Sequence, residues 1–168
     1  KSIYRAVDYP LKNALQTTRE GESDGIISTF SGEGELLFSS YFGGNKADVL
    51  NNVAIDADNN VFVIGTTEST SGLALIDPVQ SELNNGLSTK SDAYVAKLNA
   101  GDYRPLFASY LGGENDDSGF DLAIDGSDIY IIGDTASDTD FPIKEAYQSV
   151  FGGGNGDVFI SKIDTANH

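Results

Sequence analysis

Ser40-Tyr41-Phe42-Gly43-Gly44 returns as Ser109-Tyr110-Leu111-Gly112-Gly113, 69 residues further on. Ala54-Ile55-Asp56 returns at the same offset as Ala123-Ile124-Asp125, and Val61-Phe62-Val63-Ile64-Gly65 returns as Ile129-Tyr130-Ile131-Ile132-Gly133, one residue closer. Another segment occurs three times, opening at Asp24-Gly25-Ile26-Ile27, Asp92-Ala93-Tyr94-Val95 and Asp157-Val158-Phe159-Ile160. Asp8-Tyr9-Pro10-Leu11-Lys12 matches Asp140-Phe141-Pro142-Ile143-Lys144. Ordered blocks at one spacing mark a tandem repeat, which governs the fold before any single motif does.

Each repeat holds four short runs rich in β-branched and aromatic residues, bounded by Gly, Asn and Asp. They are a (52–56, 121–125), b (61–67, 129–135), c (24–30, 93–99, 157–163) and d (35–42, 105–111). Asp56-Ala57-Asp58-Asn59-Asn60 and Asp125-Gly126-Ser127-Asp128 are tight-turn sequences joining a to b, and similar turns join c to d. Hairpin-joined antiparallel strands form a meander, and meanders in tandem build a β-propeller. The fold expected is therefore all-β, with blades of four-stranded antiparallel meanders. Residues 1–168 form one domain: a partial blade over about 1–51, a complete one over 52–120 and a partial one over 121–168. That is about two and a quarter blades of an incomplete ring. An arc ending mid-blade at both ends favours a piece of a longer propeller over a ring closed by other copies of the chain. Continuous apolar runs in a (Val53, Ala54, Ile55; Leu122, Ala123, Ile124) predict it to be the most buried strand, with c and d progressively outward. The long b–c links, 68–91 and 136–156, admit either a short helix or an ordered coil, with Pro78 and Pro142 near a first helical position, Asp77 able to cap and Gly86 or Gly152 able to terminate it.

Composition excludes much chemistry. With 10 basic against 26 acidic residues the formal charge is −16, unsuited to nucleic-acid phosphates or anionic membranes. There is no Cys, Met or Trp, and His168 is the lone histidine. Thiolate catalysis, Cys/His zinc sites and a histidine triad are thereby removed. No apolar run is long enough for a spanning helix.

Tyr110-Leu111-Gly112-Gly113, Ala123-Ile124-Asp125, Ile131-Ile132-Gly133-Asp134-Thr135, Asp140-Phe141-Pro142, Gly152-Gly153-Gly154 and Asp157-Val158-Phe159-Ile160-Ser161-Lys162 together resemble the bacterial SBBP-type repeat, named for a seven-bladed β-propeller. The middle repeat departs from the pattern with Leu75-Ile76-Asp77-Pro78 and with Asn84-Asn85-Gly86 in place of the triple glycine. The resemblance implies a secreted or surface-exposed bacterial protein, and no single activity.

Alternating strand direction puts the b–c and d–a links on one end of the blades. Glu68, Asp134, Asp138, Asp140 and Tyr147 are the candidate ligand-binding residues there, for a protein or glycan. The loop Gly112-Gly113-Glu114-Asn115-Asp116-Asp117-Ser118-Gly119 is the candidate Ca²⁺ site, with Asp116, Asp117 or Asp121 as ligands. Solvated acids that keep the chain soluble are the simpler account of any one of these residues. The functional expectation is a non-enzymatic extracellular binding or scaffold module. Its partners would be the remaining blades or other copies of the chain, with neither nucleic acid nor membrane insertion. The alternative is part of a polysaccharide hydrolase working through paired carboxylates.

Overall fold

The computed structural model describes residues 9–83 and 90–166. Its strands are β1 (Gly25–Phe30), β2 (Leu36–Phe42), β3 (Asp48–Ile55), β4 (Val61–Thr67), β5 (Asp92–Leu98), β6 (Pro105–Leu111), β7 (Asp117–Asp125), β8 (Asp128–Thr135) and β9 (Asp157–Asp164). They form three antiparallel sheets in chain order: β1-β2, β3-β4-β5-β6 and β7-β8-β9. All four segment types are strands, although a is longer than its apolar run and begins at Asp48 and Asp117. Among the described residues there is no helix, so the links take the coil alternative; Asn84-Asn85-Gly86 lies outside those residues.

Local irregularities recur with the sequence. The β3–β4 pairing shifts register between Leu50 and Asn52, and the β7–β8 pairing between Gly119 and Asp121, the matching positions. Gly133 sits where its strand presses on its neighbour: a methyl there would run into the Ser118 carbonyl oxygen and the Phe159 ring.

The sheets pack face to face. Ile27 and Phe38 of the first join Val61, Val63, Tyr94, Ala96, Leu98, Ala108 and Tyr110 of the second in one apolar cluster. On its other face the second sheet sends Phe62, Ile64, Ala93, Val95, Phe107 and Leu111 against Leu122, Ile129, Ile131, Phe159 and Ile163 of the third. Period-two alternation puts neighbouring strand residues on opposite faces, so β4 and β5, covered on both, are buried almost throughout.

Strand a is not the most buried, contrary to its apolar run. Val53 and Ile55 of β3 are 59% and 63% exposed, whereas Leu122, the match of Val53 in β7, is 8% exposed. The cause lies in the neighbouring sheet. Val53 pairs with Val63 and shares its face, which points toward the first sheet, and that sheet has only two described strands. Leu122 points toward a sheet with all four.

Candidate functional site

One end of the sheets carries both long links and the glycine corners. The ladders bring Asp48, Thr67, Asp92 and Leu111 to that end of the second sheet, and Asp117, Thr135 and Asp157 to that end of the third. The acids there divide by task.

Five of them fasten the chain, Asp92 through Gln80 and the other four directly to backbone amides. Asp117 Oδ2 accepts from the Gly113 amide at 2.6 Å and the Ser137 hydroxyl at 2.8 Å. Asp48 Oδ2 does the same for Gly44 at 2.7 Å and Ser69 at 2.8 Å. On the other side of each corner a glutamine bridges. Gln80 Nε2 donates to Asp92 at 2.9 Å while its Oε1 accepts from the Gly112 amide at 2.9 Å. Gln16 bridges Asp24 and Gly43 at 2.6 and 3.1 Å, and Gln148 reaches Asp157 at 3.1 Å, which also accepts from Gly152. Gly112 lies between two carboxylates; a methyl there would collide with Asp92 and come within 2.8 Å of Asp117 Oδ2.

Burial raises the pKa of Asp117, an effect only partly offset by hydrogen bonds from Thr135, Gly113 and Ser137, and Asp116 adds to the rise. The Tyr110 hydroxyl donates to the Ser69 carbonyl at 2.8 Å. Burial, with the charges of Asp48 and Asp92, pushes its pKa up to about 12, so it stays a neutral donor. These buried bonds fasten each d–a corner to the b–c link beside it.

The proposed metal ligands are not brought together. Asp116 is exposed and pairs with Lys90 at 2.8 Å, while also accepting from the Ser91 amide at 3.1 Å. Burial would raise its pKa, but the Lys90 ammonium and Ser91 hold it below the usual value. Asp117 is buried under its corner. Asp121 accepts from the Asn52 side chain across the sheet interface. No group of three or more acidic or histidine side chains is placed to hold a metal ion among the described residues. The Lys90–Asp116 pair is half in solvent, so Lys90→Ala is expected to change stability by no more than about 1 kcal/mol, fading in high salt, when urea midpoints are compared.

Of the candidate ligand residues, Glu68 is half-buried and its amide donates to the Ala47 carbonyl at 2.9 Å. Asp134 is exposed on β8, while Asp138 and Asp140 are exposed in the following link, where Asp140 has φ 62°. Tyr147 is fully exposed in the same link. These residues share an end of the molecule. A cavity of about 190 Å³ lies elsewhere, between the first two sheets, lined by Leu15, Ile27, Phe38, Phe42, Leu73 and Leu98 among others.

The opposite end carries the tight a–b turn read in the sequence. Asp56 accepts from the Asn60 and Asp58 amides at 2.8 and 2.9 Å and from Asn60 Nδ2 at 2.9 Å, with Lys97 Nζ 3.6 Å away. Burial works to raise its pKa, but these bonds and the Lys97 charge outweigh it, and the net shift is downward. A depressed folded pKa gives stability present above the unfolded value and lost as pH falls through the folded one. Asp56→Ala is expected to cost about 1–2 kcal/mol near neutrality. The gap to the parent should close as urea titrations are carried below pH 4; a pH-independent gap would remove the carboxylate from the account.

The glutamines and hydroxyls were the functional side chains that sequence reasoning passed over. Their signal was present in Leu15-Gln16-Thr17, Val79-Gln80-Ser81 and Tyr147-Gln148-Ser149, each ahead of an Asp-headed strand. No protein-family model matches this chain, and no curated protein matches it in sequence.

Proposed function

We propose that this chain is a section of a β-propeller scaffold, extracellular and bacterial as the SBBP-type resemblance implies, which binds a protein or glycan non-enzymatically at its long-link end. The observation that carries the reading is the use made of the acids at that end. The buried carboxylates of Asp48 and Asp117 serve Gly44 and Gly113 as backbone acceptors, and the half-buried Asp157 serves Gly152. The exposed ones, Asp138 and Asp140, stand on the same link as a fully exposed Tyr147. Rigid corners beneath exposed links suit recognition, and an exposed tyrosine ring on a link that also carries exposed acids suits a sugar or a basic peptide.

The test is binding of the 168-residue chain to soluble oligosaccharides and to cationic peptides by calorimetry. Saturable binding that Tyr147→Ala weakens at least about tenfold supports the reading. Turnover of a glycoside that vanishes in Asp140→Asn would instead establish the hydrolase alternative. Absence of binding across both ligand classes would refute the recognition role.

A further inference from the structure

The outer face of the third sheet is open and carries an apolar patch, with Asp134 opposite Val158 and Lys162 opposite Tyr130 on the same face. Val158 and Ile160 of β9 are 72% and 75% exposed, and Tyr130 and Ile132 of β8 project from the same face. By repeat position these four match Ala93, Val95, Phe62 and Ile64, all wholly buried in the second sheet against the third. The pairing agrees as well: Ile64 faces Val95 and Phe62 faces Lys97 in one sheet, Ile132 faces Ile160 and Tyr130 faces Lys162 in the other. Even the cation over the ring is kept, with Lys97 Nζ 5.2 Å from the Phe62 centroid and Lys162 Nζ 5.8 Å from that of Tyr130. The molecule therefore displays, uncovered, a second edition of a face whose occupant it already contains.

We propose that this face docks one further sheet of the same repeat, carried by the same polypeptide, with apolar residues in the places that Leu122, Ile129, Ile131, Phe159 and Ile163 hold in the third sheet. This rests on the propeller reading above and adds the chemistry of the contact. Asn52 Nδ2 donates to Asp121 across the existing interface, and Asp121 is itself the repeat match of Asn52. At the next interface an acid thus replaces the amide donor. Two acids facing each other there would repel, so the incoming sheet must place a donor such as Asn, Lys or Arg where the third sheet has Asp121.

A second copy of the chain is the poorer occupant. Among the described residues, a copy could offer the outer face of β1-β2 or its own open third-sheet face, and the latter would bring Asp121 and Asp134 of both copies, like charge with like charge, into one apolar contact. Two strands fail to cover Val53 and Ile55 within this chain, and would likewise leave part of β7 and β8 bare. Two bodies of charge −16 also repel on approach.

The experiment extends the full chain: residues 1–163 followed by a repeated copy of 99–166, which supplies a d strand for the edge of β9 and then a fourth sheet. Two forms are made, the copied Asp121 kept or changed by Asp121→Asn. The expected result is methyl–methyl NOEs from Ile132 and Ile160 to Ile129 and Ile131 of the copy, with loss of dye binding to exposed apolar surface. The Asp121→Asn form should melt at least about 4 °C above the other. Absence of these NOEs, whether the added unit folds apart or fails to fold, overturns the proposal, because that sequence already folds against the matching face here. So does dimerisation of the unextended chain that Ile160→Glu abolishes, which would make the occupant a second copy. Ligand binding at the long-link end is read separately, so an empty ligand screen leaves this result standing.

Discussion

Replacing Phe62 with alanine is expected to cost about 3–5 kcal/mol, while Tyr130→Ala, at the matching place one repeat later, costs under about 1 kcal/mol. Both residues belong to strand b, both face the same way, and both lie under a lysine ammonium. They differ in what covers them. Phe62 is fully buried in the cluster between the second and third sheets, and its removal leaves a void that Ile64, Phe107 and Ile129 have little freedom to fill. Tyr130 looks outward from the third sheet and is more than a third exposed. Urea midpoints with matched m-values measure the contrast. Comparable losses at the two positions would mean that Tyr130 is covered in solution, either by the chain itself or by a partner.

The contrast also explains what could be read from residues alone. Strand positions followed from β-branched and aromatic runs between turn residues, because these choices are local: Asp56 to Asn60 closes a hairpin with its own side chains. The order a, b, c, d within the second sheet followed from the tight a–b and c–d turns and from the repeat of the same segments in order, despite the long b–c link. Burial did not follow, because it depends on the adjacent sheet. Val53 and Leu122 are repeat equivalents with opposite exposure, decided by whether two or four strands stand opposite. The acidic loop misled for a similar reason. Asp116 and Asp117 are sequence neighbours, but where Asp117 enters a strand they point apart, one toward Lys90 and the other under the Gly113 amide. The three Gln–Asp bridges span between eight and twelve residues of link, so only the folded link reveals their purpose.

Asp117→Ala is expected to be the most damaging polar substitution, costing about 3–5 kcal/mol, since it strands the buried Gly113 amide and the Ser137 hydroxyl together. Asp117→Asn should behave otherwise. One amide oxygen can accept both bonds, so near neutral pH its stability should stay within about 1 kcal/mol of the parent. The variant and the parent then separate with pH in a definite sense. The folded pKa of Asp117 is raised, chiefly by burial, so its protonated form is the better fitted to the site. Stability from that form is fully present below the unfolded Asp value and is lost as pH rises through the higher folded value. The Asp117→Asn side chain carries no such loss, because it has no proton to give up. The stability of this variant relative to the parent should therefore increase across that window and level off above it. Urea titrations from pH 3 to pH 7 on both proteins measure the trend. If the relative stability instead falls as pH rises, the ionised carboxylate is the favoured form at this corner, and the charge-assisted bonds to Gly113 and Ser137 outweigh burial.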